Sequence, residues 1–444
     1  MNRPILSDWL APAFVLCALV LGGSSSGGIW ANLVLQWLAA ILLLVLIASR
    51  AALPVPRALL ALGAAAVCLP ILQLIPLPPS LWTQLPQRGA VAEGFALAGA
   101  ALPWMPLSLD PDATLAVLAS LLVPAAGLAL FAAASPRGVQ RALAAVVVVA
   151  IGSILLGIMQ LLDGEGTVLQ PYAITNPGKA TGLFANRNHL ATLLVMAIPC
   201  AVLLAGRDKR WRGGVLAAIL TGGPVLTGSR AGIGLAIVAA AVSLAAIHAP
   251  ARARAPWLAL LGAGAALGAA AGLWLAIAPA APAPGGIEQQ RPFIIVTTLE
   301  AARDHFPVGS GGGSFLRVYQ HHEDPAVTTP EYRNHAHNDY AEVLLEYGAP
   351  GAALVLAAIG WWAVAAFAAW RGGPGCAGAR AGVIMLGVVL AHSLVDYPLR
   401  TAALALLAAA AGIIAARRDE AAQAPAAGQS EAPQDDPRHL RITL

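Results

Sequence analysis

The chain has 444 residues, 58% of them hydrophobic and only 11% charged, and its mean hydropathy is +0.73. No water-soluble domain carries that balance, so the composition excludes a soluble enzyme or binding module and specifies a polytopic membrane protein. The four cysteines, Cys17, Cys68, Cys200 and Cys376, sit in or beside apolar runs without C-x-x-C spacing, and the net charge is +4. Neither a disulfide framework nor a zinc site is implied, and the placement of the charges says more than their sum.

Apolar runs near the ~20 residues that cross a bilayer recur about twelve times. They fall at 10–22, 29–48, 58–75, 113–134, 139–162, 189–206, 213–228, 231–248, 256–278, 350–370, 381–396 and 401–416. The first lacks a small-residue cleavage site and is followed by further runs, so it reads as a span. The seventh is expected to be broken at Gly222-Gly223-Pro224. Arg50 and Arg57, Arg137 and Arg141, Arg207 to Arg212, Arg252 and Arg254, Arg371 and Arg380, and Arg417-Arg418 occupy alternate connections. By the positive-inside rule those connections and both termini are cytoplasmic. Backbone groups in lipid must be satisfied internally, and the alternating strands of a barrel are absent. The expected fold is an all-α polytopic membrane protein of about 12 transmembrane helices, forming a single domain over 1–416. The tail, 417–444, is rich in Ala, Gln, Asp and Pro and is expected to be a disordered cytoplasmic segment.

The remaining connections face outward. The longest, 279–349, opens with Pro279, Pro282, Pro284 and Gly285-Gly286 and is expected to carry short helices. The 76–112 connection holds Trp82 and Trp104 and is expected to lie on the membrane surface with both aromatics at headgroup depth. The 163–188 connection ends in Phe184-Ala185-Asn186-Arg187-Asn188-His189. Gly309 to Ser314 lacks the Gly-Lys-Ser/Thr ending of a phosphate loop; a turn packed closely against another backbone fits better.

Ionisable groups concentrate in Asn334 to Gly351. Asp339 with Glu342 forms a D-x-x-E capping box, which starts a helix near Asp339, and Gly348 with Pro350 stops it. His337 and Asn338 then precede a helix N-terminus, where backbone N–H groups favour an anion. His335 and His337, two apart, point the same way on an extended approach. Two imidazoles at such a place suit proton transfer beside phosphate. Arg230 lies between two apolar runs with almost no loop around it. A charge there is expensive unless it meets a polar cavity or a fixed anion, and a guanidinium grips phosphate bidentately. Plain readings stand beside these. Arg230 snorkels to lipid phosphates or pairs with Asp396; Arg187 is an interfacial anchor; Arg291 is a surface charge; Asp396 is an interfacial acid. His321-His322 and Glu323 with His335 and His337 are an alternative metal grouping, without the helical ligand spacing that would support it.

The stretch His335 to Gly351 resembles the signature of the O-antigen ligase and polymerase superfamily of bacterial glycan transferases. Gly182 to His189, Thr227 to Gly232 and Gly309 to Phe315 are similar to its other motifs, in the same order. The resemblance is strongest over 150–415, and Ala185 and the doubled histidine are variations within it. It implies a multi-pass enzyme of the bacterial inner membrane that takes a glycan from undecaprenyl diphosphate and passes it to an acceptor hydroxyl at the periplasmic face. The acceptor is lipid A-core or another glycan or protein; no metal, nucleotide or other cofactor is implied, and no nucleic acid. By motif position Arg187, Arg230 and Arg291 bind the donor diphosphate and His337, with His335, is catalytic. Asn338, Asn188 and Asp396 are the candidate orienting residues. A repeat-unit polymerase and a protein O-oligosaccharyltransferase belong to the same superfamily. A lipid-linked sugar flippase is the alternative of another class, disfavoured because the chain lacks an inverted repeat and paired broken helices.

Overall fold

The computed structural model describes residues 4–26, 29–164, 166, 168–176, 178–247, 287–323, 333–372 and 374–417. Its helices are α1 (Pro4–Leu21), α2 (Trp30–Ala48), α3 (Arg57–Leu74), α4 (Pro79–Trp82), α5 (Gly89–Leu97), α6 (Pro111–Ser120), α7 (Leu122–Ala133) and α8 (Pro136–Asp163). They continue with α9 (Arg187–Ala205), α10 (Arg210–Thr227), α11 (Arg230–Ala246), α12 (Ile287–Asp304), α13 (Phe315–His322), α14 (Asp339–Arg371), α15 (Ala377–His392) and α16 (Ala402–Ala416). Among the described residues, strand is confined to β1 (Pro76–Leu77) paired antiparallel with β2 (Met105–Pro106). The protein is an all-α, multi-pass membrane protein.

Among the described residues, six helical stretches are long and apolar enough to cross a membrane: Trp30–Ala48, Arg57–Leu74, Pro111–Ala133, Pro136–Asp163, Arg187–Ala205 and Asp339–Arg371. Asp8–Leu21, Arg230–Ala246, Ala377–His392 and Ala402–Ala416 are shorter apolar helices. The run expected over 256–278 and the tail beyond Arg417 lie outside the described residues. The run 113–134 is one of the six stretches, built of two consecutive helices that meet at Leu121. One expectation is corrected. The seventh run is unbroken, because α10 passes through Gly222-Gly223-Pro224 and ends only at Gly228, in the left-handed region. Gly223 serves packing instead: a side chain there would meet Leu194 and Ile154, so its bareness brings α10 close to α8 and α9.

At the centre stands α9, buried without interruption from Arg187 to Val202 and packed against α8, α10, α11 and α15. Hydrogen bonds sort the helix ends into two groups. At one end Arg417 donates to the carbonyls of Phe131, Ala132 and Ala134. Arg380 donates there to those of Ala369, Gly372 and Ile247. These are the orphan carbonyls that helix C-termini leave unsatisfied. At the other end the Ala403 N–H donates to Gly22 O and the Ala185 N–H to Gly23 O. That end gathers the start of α9, the α10–α11 turn, the start of α14 and the α15–α16 connection.

The long connection does carry short helices, α12 and α13, both packed on α14. The 76–112 connection folds on itself, which corrects the expectation for one of its aromatics. Trp82 is fully buried and its indole N–H donates to Pro103 O, while Arg88 is held by the carbonyls of Pro106 and Leu107. Trp104 remains exposed.

Candidate active site

The helix of the histidine motif begins where the sequence indicates, but its cap differs by one residue. Asn338 is the N-cap, its Oδ1 accepting from the Ala341 N–H at 2.9 Å. Glu342 is thereby displaced from the capping-box position, and its Oε2 accepts instead from the Ala336 N–H at 2.9 Å. Gly348, at φ +56° and ψ −141°, interrupts the helix and separates the short segment ending at Tyr347 from the apolar part of α14. The Gly309–Ser314 turn packs into that interruption. Ser310 and Gly311 donate their N–H groups to the carbonyls of Leu345 and Glu346, both at 2.9 Å, so the turn is the close backbone contact its composition suggests.

His337 is in the left-handed region, at φ +53°, an uncommon conformation for a residue with a side chain and one that clusters at functional sites. Its Nδ1 lies 3.6 Å from Asp396 Oδ1. Asp396 is the hub of the site. Arg291 Nη2 lies 3.7 Å from its Oδ2, and His189 Nε2 lies 3.7 Å from its Oδ1. The Tyr397 N–H donates to Oδ1 at 2.9 Å, and Arg291 Nη1 donates to Val395 O at 3.1 Å. The arginine that Asp396 orients is thus Arg291, not Arg230. Burial by itself would raise the Asp396 carboxyl, but Arg291, His337 and His189 together hold it well below the usual carboxylate range. Burial, reinforced by Arg291, pushes the His337 imidazole below its ordinary value against the pull of Asp396, so the neutral form prevails near pH 7.

Tyr397 organises the rings. His189, His335 and His337 all pack against it, with centroids at 4.9, 4.5 and 4.9 Å. Its hydroxyl accepts from Asn186 and donates to Asn334, both at 3.3 Å. His335 and His337 therefore share a ring but face different acids, because the left-handed turn at His337 ends the extended run expected between them. His335 Nδ1 donates to Glu342 Oε1 at 2.8 Å. Glu342 belongs in turn to a buried network around Arg400, whose Nη1 lies 2.9 Å from Glu346 Oε2 and 3.5 Å from Glu342 Oε1, and whose Nε lies 3.7 Å from Asp339 Oδ1.

Arg187 is buried in the first turn of α9. Its Nη1 donates to the carbonyls of Thr227 and Gly228 at 3.2 and 3.3 Å, which joins α9 to the α10–α11 turn. Arg230 opens α11 just beyond that turn and is exposed. Arg230, Arg291 and Asp396 all act electrostatically on Arg187, so the three arginines share one neighbourhood. Two orienting candidates act through backbone. Asn338 donates its amide to Leu394 O at 2.8 Å, holding the Asp396 connection against α14. The Asn188 side chain takes no part in the Asp396 cluster; its N–H donates to Asn186 Oδ1.

The alternative metal grouping does not assemble. His322 meets Asp304, Glu323 meets Arg333 and His335 meets Glu342. Among the described residues no three His, Cys, Asp or Glu side chains come together as a metal site. Sequence reasoning placed His189 beside Arg187 without giving it a role, and it missed Tyr397, Glu346 and Arg400 as parts of the site. Two acids at i and i+4, Glu342 and Glu346, in a chain this apolar demand a cation, and Arg400 was the signal available.

Residues 215–356 match the model of the O-antigen ligase family. The segment runs from α10 into α14 and contains Arg230, Arg291, His335 and His337; Arg187 and Asp396 flank it. No curated protein matches the chain.

Proposed function

The chain is a member of the O-antigen ligase superfamily of glycan transferases, and from that premise we propose that it moves a glycan from undecaprenyl diphosphate to an acceptor hydroxyl. The acceptor is lipid A-core or a similar molecule, and the reaction occurs at the periplasmic face of the bacterial inner membrane. The observation that carries this reading is the convergence of Arg187, Arg291, Asp396 and His337, from four separate parts of the chain, at one end of the bundle. The arginine-rich connections at the opposite end support the orientation, with both termini cytoplasmic.

The donor is already activated, since its leaving group is a diphosphate, and no nucleotide is needed. The acceptor oxygen attacks the anomeric carbon from the face opposite the diphosphate. The new C–O bond forms as the bond to the diphosphate breaks, and the anomeric centre inverts. Charge grows on the diphosphate, and the held guanidinium groups of Arg187 and Arg291, with the exposed Arg230 beside them, stabilise it. The acceptor proton passes to His337, whose Nδ1 side faces Asp396, so Nε2 is the accepting nitrogen. Asp396 stabilises the imidazolium that results. His335, hydrogen-bonded to Glu342, is a second imidazole on the same edge and supports the acceptor side.

A strain lacking the gene tests the reading through its surface glycans and carrier-linked intermediates. Full-length polymer retained on the undecaprenyl carrier, with none on the final acceptor, is the expected result. Accumulation of single repeat units instead assigns the polymerase reaction. Unchanged profiles contradict the proposal.

A further inference from the structure

Of the enclosed imidazoles that take no part in proton transfer, His189 faces Asp396 directly. His189 lies in the first turn of α9, its side chain is 1% exposed, and neither ring nitrogen has a hydrogen-bond partner. Its Nε2 stands 3.7 Å from Asp396 Oδ1, the oxygen that His337 Nδ1 approaches at 3.6 Å. Asp396 Oδ2 turns instead to Arg291. The His189 ring meets Tyr397 edge-on, as does that of His337. Two imidazoles thus flank one carboxylate oxygen and one phenol ring.

A buried polar atom left without a partner is unfavourable, and an apolar side chain on α9 would avoid that cost. The neutral form protonated on Nε2 offers a single N–H, and Asp396 Oδ1 is the acceptor in front of it. A shift of about 0.7 Å from the 3.7 Å separation completes this hydrogen bond.

Resting on the transferase reading, we propose that His189 is a positioning residue. Its Nε2–H holds the Asp396 carboxylate so that Oδ1 faces His337 and Oδ2 faces Arg291 when the acceptor proton arrives on His337. His189 itself neither takes nor gives up a proton.

The test uses the purified full chain in detergent with a defined lipid-linked donor. His189→Phe keeps a ring against Tyr397 and removes the N–H; His189→Gln places an amide N–H close to the position of Nε2. The expected kcat of the Phe variant falls about 10–100-fold, the usual effect of removing a hydrogen-bond partner that orients an active group, with the donor KM nearly unchanged. The Gln variant recovers most of the loss. A Phe variant with the wild-type kcat overturns the proposal. Equal losses in Phe and Gln variants that melt like the wild type also overturn it, since the ring and not the N–H would then matter. If the Phe variant is not recovered from membranes, His189→Met removes the same donor and is read the same way. Wild-type activity that is lost in His337→Ala but kept in His189→Phe defeats the positioning role alone. A wild-type protein that transfers nothing defeats the transferase reading, and this inference with it.

Discussion

Replacing Asp396 by Asn removes one charge and almost no volume. Asn keeps the side-chain oxygen that accepts from the Tyr397 N–H at 2.9 Å, so the connection that carries it keeps its shape. The loss falls on the imidazolium that His337 becomes. A unit charge pair separated by 3.6 Å is worth about 4–5 kcal/mol at an effective dielectric near 20. Proton transfer is incomplete at the transition state and Asn retains a dipole, so about half of that, ~2 kcal/mol, is lost there, and kcat falls roughly thirty-fold. The pH dependence has a definite sign. Burial and Arg291 already lower the His337 value, and Asp396 opposes them. Without the carboxylate the value falls further, so the acid limb of the rate profile moves to lower pH while the plateau drops. Steady-state transfer by purified protein across the acid range measures both. An unchanged plateau, or an acid limb displaced to higher pH, refutes the placement of Asp396 behind the base.

Three further outcomes are expected. Arg400→Met leaves Glu342, Glu346 and Asp339 without their buried cation and destabilises the protein by about 3–5 kcal/mol, read as a lowered melting temperature in detergent; adding Glu346→Gln recovers part of it. Gly309→Ala forces a side chain into a left-handed residue, φ +79°, against the Glu346 backbone, and costs about 1–3 kcal/mol by the same measurement. Arg291→Lys keeps the charge but loses the fork that spans Asp396 and Val395 O, so kcat falls about ten-fold in the transfer assay, while the thermal midpoint stays near that of the wild type.

The membrane-crossing helices were legible because each lies in a continuous apolar run, and the histidine helix because its start and stop residues are local. Even there, two neighbouring polar residues competed for the cap, and local pattern cannot rank Asn338 above Asp339 when the choice depends on Asp339 being drawn to Ser393. Pro224 looked like a break because sequence weighs its lost N–H and not the packing that Gly223 permits. Trp82 looked interfacial because nothing nearby announces that Pro103 lies over it. The partners of the site are further apart still: Asp396 meets His189, Arg291 and His337 from four parts of the chain, and no periodicity encodes such a meeting. Scarcity of charge is the signal that survives, since each buried acid in so apolar a chain needs a cation or donor.

The protein itself is expected to transfer glycan, with His337 as the base. Purified protein, a synthetic undecaprenyl-diphosphate glycan and a defined acceptor test it most directly, with the product and its anomeric configuration read by mass spectrometry and NMR. The wild type is expected to form an inverted glycosidic linkage, and His337→Ala to lose at least about a hundred-fold in transfer. Full transfer by His337→Ala, or a product of retained configuration, contradicts this mechanism.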